Sequence, residues 1–338
     1  MNSAFNVTLL SLVASVAIAC SSDSQSQYLT PEIQEEKVNE GKSTADFAPE
    51  VDILFVVDNS GSMNTHQQNL AKNIELFTNE FLRQPFISYH VGVITTESRG
   101  STDKCCGKLQ GSPAFVKRNT PDSNRTLAKN LMVGTSTTAT SGKEAPFDSV
   151  IKALDPDLLK GHNAGFLRPN AALAIFFVTD AEDQSEASVR TIFNYLVNLK
   201  GGYRDRVFAF GAIIPTTEFR CKRDDEKVTP LKIESFLRLT KNSGPNLMNL
   251  CATDFGTNLA RAAAQIVDSI GRKVFLNRIP DVNSIRVKIG NEYLANEPLA
   301  GWTFNPEENA IVFGPNISWV NLPPNTSIQI FYDAITDN

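Results

Sequence analysis

"DILFVVDNSGSM", residues 52–63, decides how the rest of the chain is read. Ile53 to Val57 form an unbroken apolar run, as in a strand covered on both faces. The run stops abruptly at Asp58, Ser60 and Ser62, which put one carboxylate and two hydroxyls on alternate residues at the strand's tip. Open parallel α/β sheets bind ligands outside the carboxyl ends of their strands. Hard oxygen donors converging at such an end suit Mg²⁺ or Mn²⁺ rather than a soft metal. The turn's amides and the start of the next helix would also support an anion there.

Outward from this stretch, apolar runs alternate with helical spacing. Leu70, Ile74, Phe77 and Phe81 follow at helical intervals. "FISYHVGVITT" (86–96), "AALAIFFVTD" (171–180) and "RVFAFGAIIP" (206–215) are further strands. Val189, Ile192, Phe193 and Leu196 mark one helix face, and Leu259, Ala263, Ile266 and Ile270 another. Strands alternating with helices predict an α/β fold with a doubly wound, mostly parallel sheet. After Arg272 the pattern changes: Ile285, Val287 and Ile289 alternate with Arg286 and Lys288, a strand with one wet face. "AIVF" and "SIQIFYD" are similar, so 273–338 is expected to be a small antiparallel β unit, with Trp302, Phe304 and Trp319 as its core.

The chain has 338 residues, 41% hydrophobic and 20% charged, enough to bury a full core. A net charge of −5 and the lack of a basic run with interleaved aromatics argue against a nucleic-acid partner. Val7 to Ala19 are mostly apolar and end in small residues before Cys20. That is shorter than the roughly 20 residues a bilayer span needs, and it has the form of a secretory signal. The ending "AIAC" resembles a bacterial lipobox, although "MNSAFN" before it carries no Lys or Arg. The resemblance implies a lipoprotein signal peptide at 1–20, lipidation of Cys20 and membrane contact through that lipid only. With Ser21 after the Cys, it implies the outer membrane of a Gram-negative-type cell envelope. The alternative is an ordinary signal peptide with Cys20 incidental. Residues 21–50 hold too few apolar side chains to fold alone and read as a disordered tether, about 100 Å long if extended.

Cys105, Cys106, Cys221 and Cys251 remain, and an exported chain favours disulfides over metal ligation. Cys221 with Cys251 is the favoured pair, leaving Cys105 and Cys106 as a vicinal bridge or free thiols. One of the adjacent pair bonded to each of the other two is the competing arrangement.

"DNSGSM" after an apolar strand resembles the DxSxS motif of von Willebrand factor A (VWA) domains, whose metal ion-dependent adhesion site (MIDAS) holds a divalent cation. The resemblance spans 51–272. It implies a loop threonine in "MVGTSTTATSGKE", for which Thr135 is the candidate and Thr137, Thr138 and Thr140 are alternatives. It implies an aspartate at the end of a central strand, met by Asp180 in "FFVTDAED". It further implies an open coordination position that accepts an acidic group from a protein partner. Glu182 and Asp183 read as a solvated helix start, with a second cation as the other reading. "ESRGSTDKCCGKLQGSP" (97–113) and "TTEFRCKRDDEK" (216–227) leave carboxyl ends of strands and are expected to frame the metal face.

These features point to a surface-displayed adhesion or recognition lipoprotein. A structural envelope subunit that docks through the VWA domain, without metal-regulated binding, is the alternative. An enzyme is not expected: no GxSxG or HExxH occurs, and only His66, His90 and His162 are present. The haloacid dehalogenase phosphatase pattern wants a second Asp where Ser60 stands, so its acid/base is missing.

Overall fold

The computed structural model describes residues 49–82, 87–100, 104–135, 143–214, 230–240, 244–252, 255–276, 278–317, 326 and 328–335. Cys20 and the signal, most of the tether, Thr137, Thr138, Thr140, the 216–227 loop with Cys221, and Trp319 lie outside the described residues.

Six strands form the main sheet: β1 (Glu50–Val57), β2 (Ser88–Thr95), β3 (Phe115–Lys117), β4 (Ala172–Val178), β5 (Val207–Ile213) and β6 (Leu247–Asn249). Their order is β3-β2-β1-β4-β5-β6, with every pairing parallel except β3 on β2. The helices are α1 (Asn64–Leu82), α2 (Ser123–Leu131), α3 (Pro146–Ala153), α4 (Pro156–Lys160), α5 (Val189–Leu199), α6 (Leu231–Leu239) and α7 (Phe255–Gly271).

The alternation of side chains along β1 shows why both sheet faces must be covered. Ile53, Phe55 and Val57 join one apolar cluster with α1, α2 and α7, while Leu54 and Val56 join a second with α3, α5 and α6. Leu70, Ile74, Phe77 and Phe81 of α1 all face the first cluster. There Phe55 stacks on Phe176 at 4.8 Å between ring centroids, and Phe77 meets the edge of both. The sheet is doubly wound, as the spacing predicts.

Beyond α7 come β7 (Lys273–Phe275), β8 (Arg286–Ile289), β9 (Glu292–Leu294), β10 (Trp302–Asn305), β11 (Ala310–Phe313) and β12 (Ile328–Phe331). They form two three-stranded antiparallel sheets, β10-β11-β7 and β12-β8-β9. Ile285, Val287 and Ile289 are buried while Arg286 is exposed. Their apolar faces belong to the same cluster as Ile266 and Ile270 of α7. Trp302 is buried in it and donates from Nε1 to the Leu294 carbonyl at 3.1 Å, so it is core.

At the amino end of the sheet, β1 buries Asp52 completely. Arg168 answers it with its backbone N–H on Oδ2 (2.7 Å) and its Nε on Oδ1 (2.8 Å). The same guanidinium bonds Glu50, Ser88 Oγ and the Val51 carbonyl. Lys200, itself buried, donates to the Arg168 carbonyl at 2.8 Å and lies 3.8 Å from Asp52. Burial raises the Asp52 carboxyl against the pull of Arg168 and Lys200, and burial lowers Lys200 to about 8. Removing one member of a buried pair leaves a charge uncompensated, which costs about 3–5 kcal/mol. Arg168→Ala is therefore expected to destabilise the protein by about that amount, measured by urea denaturation.

Candidate metal centre

Val57 pairs with Thr95 on one side and Val178 on the other, so three strand tips stand level. Asp58 continues the ladder, its N–H donating to the Val178 carbonyl at 2.9 Å. Its carboxylate is buried and held on both oxygens: Oδ1 accepts from the Ser60 N–H (2.7 Å) and Oδ2 from Thr179 Oγ1 (2.6 Å). The first bond tightens the turn, which passes through a 3₁₀ segment (Gly61–Met63) into α1. The hydroxyls of half-exposed Ser60 and Ser62 come together at 3.1 Å. Asp180, buried on the neighbouring tip, follows Thr179. Burial raises the Asp58 carboxyl; the Thr179 and Ser60 bonds oppose the rise and the Asp180 charge adds to it.

Gln67, fully buried on α1, ties a second loop to this tip. Its Nε2 donates to the carbonyls of Asp58 (2.8 Å) and Gly134 (3.1 Å), and its Oε1 accepts from the Gly134 N–H (3.1 Å). Gly134 has φ +81°, a conformation that favours glycine, and Thr135 follows it half-buried. Lys104 supports the same loop from Val133, where its Nζ meets the carbonyl at 2.5 Å. The loop carrying Thr135 is thus fastened beside Asp58.

Two further carboxylates line this end. Thr96, just past β2, donates its hydroxyl to Glu144, and Glu97 pairs with Glu144 through an isolated antiparallel bridge. Glu97 is only 5% exposed, and its Oε1 has no hydrogen-bond partner. Burial, together with the charges of Asp58, Asp180 and Glu97, pushes the Glu144 carboxyl up to about 7 despite the Thr96 bond.

Glu182 and Asp183 are not the solvated helix start expected from the sequence. Glu182 accepts from the N–H groups of Leu231 and Lys232 and so caps the N-terminus of α6. Asp183 is buried, accepts from Ser185 and pairs with Lys232 at 2.8 Å. Both are occupied in fixing the loop after Asp180, because a buried carboxylate must find donors. Cys105 and Cys106 are joined in a vicinal disulfide on the loop that leaves β2. Cys251 is also disulfide-bonded, its partner lying outside the described residues.

Nothing in the sequence marked Gln67, while Thr96, Glu97 and Glu144 lay within the quoted strand 86–96, the 97–113 loop and the threonine loop without being singled out. Thr179 did stand in the "VTD" stretch beside Asp180. Among the described residues no three His, Cys, Asp or Glu form a metal cluster by themselves. The donors at these tips are instead mixed, the hydroxyls of Ser60 and Ser62 with the carboxylates of Asp58 and Asp180. Such an all-oxygen set fits a hard divalent cation.

A DxSxS turn on β1, flanked by β2 and β4 in a six-stranded sheet with one antiparallel edge, settles the architecture. The fold is of the von Willebrand factor A type. No protein-family model matches the chain, and no curated protein does. Among solved structures, the VWA-type chain is similar to proximal thread matrix protein 1 of the mussel byssus with a zinc-occupied MIDAS motif. The identity is 10% over 69% of this chain and 50% of that one, with a TM-score of 0.36. It is similar to the pilus adhesin SpaC from Lactobacillus rhamnosus GG at 12% identity, over 84% of this chain and 38% of that one, with a TM-score of 0.40. A von Willebrand factor type A structure from Catenulispora acidiphila matches at 12% identity, over 85% and 59%, with a TM-score of 0.35. The chain thus spans 38% to 59% of the lengths of these three. At such identities and TM-scores the likenesses carry no argument, and the fold rests on strand order and motif.

Two outcomes are expected. Gln67→Ala strips three bonds between α1, the Asp58 tip and the Gly134 loop, and should cost about 1–3 kcal/mol, seen as a lowered thermal midpoint. In chelator, Glu144 should make stability fall as pH rises from about 4.5, its ordinary value, through about 7. Over that range the folded state holds a proton the unfolded chain has lost, and above it the effect levels off. Denaturation midpoints at pH 5, 6, 7 and 8 would show the slope, which Glu144→Gln should remove.

Proposed function

We propose that the VWA-type head is a cation-dependent recognition module. The turn at Asp58, Ser60 and Ser62 holds a hard divalent ion, Mg²⁺ or Mn²⁺, with Asp180 and the Thr135 loop beside it. The bound ion supplies a positive point with an open position, and an acidic side chain of a protein partner fills it. The chain's own residues do the rest. Thr179 and the Ser60 amide fix the Asp58 carboxylate, the paired serine hydroxyls present oxygens at the rim, and Gln67 holds the flanking loop. The observation that carries this reading is the serine hydroxyl pair, half-exposed above a buried and doubly anchored carboxylate.

Binding without turnover is the reading the histidines favour. His90 contacts the Phe166 carbonyl through Nδ1 (2.8 Å) and lies 3.6 Å from Asp52, at the opposite end of the sheet from the turn. His162 contacts the Leu109 carbonyl through Nε2 at 2.9 Å. In the same proposal Cys20 carries the lipid and residues 21–50 hold the head away from an outer-membrane surface. No helix among the described residues is long and apolar enough to cross a membrane.

Exposed apolar side chains support a second reading, permanent docking in an envelope assembly. Ile279, Val282 and Ile335 are 47–54% exposed, and Ile335 donates its N–H to the Ile279 carbonyl. A complex that survives purification in EDTA would favour docking over cation-dependent capture. Calorimetry of residues 21–338 with Mg²⁺ and Mn²⁺ tests the leading proposal: wild type is expected to bind and Asp58→Ala is not. Equal heats from both would end it.

A further inference from the structure

We propose that the Cys105–Cys106 disulfide is a redox-operated latch on the loop that carries Thr135, closed when oxidised and released by a dithiol. Its consequence for cation affinity rests on reading the Asp58–Ser62 turn as a cation site; the latch itself does not.

The bridge sits between two ties that hold that loop at its entry and its exit. At the entry Lys104, the residue before the pair, sends its Nζ to the Val133 carbonyl at 2.5 Å. The same ammonium lies so close to Gly134 that a Cβ there would approach it to 3.0 Å. At the exit the Cys106 N–H donates to the Glu97 carbonyl at 2.8 Å, and Glu97 pairs with Glu144 through the antiparallel bridge. Cys106 makes this bond at φ +66°, in the left-handed region that a non-glycine residue keeps only where its surroundings hold it. Joining its sulfur to the preceding residue is such a hold.

Bonds on either side confine the release to this corner. Asn163, fully buried, donates from Nδ2 to the carbonyls of Gly107 (2.8 Å) and Ala153 (2.9 Å) and accepts from the Leu109 N–H (2.9 Å). Thr95 Oγ1 bonds the Lys104 carbonyl at 2.6 Å. None of these needs the bridge. Opening it frees the Cys106 backbone to leave the left-handed region, which loosens the bond to Glu97 and the seat of Lys104 on Val133 while the sheet keeps its ladder.

The two sulfurs differ in access: Cys105 is 3% exposed, whereas Cys106 is half-buried. A thiolate of the dithiol attacks Cys106 Sγ, forms a mixed disulfide there and expels Cys105 Sγ, which takes a proton. The second thiolate attacks the reductant's sulfur in that mixed disulfide, closes the reductant's own disulfide and expels Cys106 Sγ, which takes another proton. Two electrons and two protons thus pass from the dithiol to the cysteine pair. The Gly100 carbonyl oxygen lies 3.1 Å from Cys105 Sγ and 3.6 Å from Cys106 Sγ, an acceptor already in place for either S–H.

The test is hydrogen exchange on the full chain, oxidised and after dithiothreitol. Thiol alkylation with peptide mass spectrometry shows which cysteines have opened, and circular dichroism checks the fold. Reduction of the pair should speed exchange at the Gly134 amide at least about tenfold and leave the β1 and β4 amides unchanged. Cys105→Ser/Cys106→Ser should exchange fast from the start and respond no further to dithiothreitol, which separates this bridge from the one at Cys251. Lys104→Met should loosen Gly134 with the bridge closed, an independent route if the double variant fails to fold. Calorimetry with Mn²⁺ should show affinity at least about fivefold weaker after reduction. An opened pair with unchanged Gly134 exchange would overturn the latch, as would a pair that dithiothreitol cannot open in the folded chain. Faster Gly134 exchange in a wild type that binds no Mn²⁺ in either state would overturn the cation site and leave the latch standing.

Discussion

The parallel register of β1 between β2 and β4 is the constraint on which the functional end depends. With Val57 level with Thr95 and Val178, the next residues of all three strands leave the sheet along one line. Asp58, Thr96 and Thr179 are those residues, and each bonds to a neighbouring strand or to a loop at its tip. A slip of one residue in β1 would turn Phe55 away from Phe176 and its cluster, so core packing enforces the alignment of the polar tips. The chemistry is positioned by apolar side chains that never touch it.

The two ends of this sheet bury acid in opposite ways. At the amino end Asp52 is neutralised from within, by a guanidinium that bonds it twice and a buried ammonium close by. At the carboxyl end, among the described residues, Asp58 is met by a hydroxyl and an amide and Glu144 by a hydroxyl. Neutral donors orient a carboxylate without cancelling its charge. A closed charge network suits a scaffold, whereas carboxylates oriented by neutral donors suit a place where something positive is to be held.

How much was legible depended on how local each feature is. β1, β2, β4 and β5 were plain as continuous apolar runs, and α1, α5 and α7 by spacing, because burial on both faces writes itself into consecutive residues. The edge strands β3 and β6 were not, since three residues with mixed exposure carry no periodicity. Asp58, Ser60 and Ser62 could be read because one turn holds them all. Arg168 could not be matched to Asp52, 116 residues away, nor Glu144 to Thr96, 48 away, because such pairings exist only once the sheet has closed. Glu182 and Asp183 misled for a related reason: charged residues after a strand read as solvated until α6 supplies the amides that Glu182 caps and the Lys232 ammonium that pairs with Asp183.

Helix α1 is fastened at both extremities. Near its start Gln67 grips the Asp58 carbonyl and the Gly134 backbone together. Near its finish the Phe81 carbonyl takes a 2.9 Å bond from Arg118, whose guanidinium also holds the Ile87 carbonyl at the entrance to β2. A rod clamped in this way cannot slide along its axis without breaking a clamp, and its upper clamp would carry both walls of the rim with it. Mechanically, α1 is a strut rather than a piston. Any signal leaving the rim would have to travel by another route, through the loops hung from the neighbouring strands.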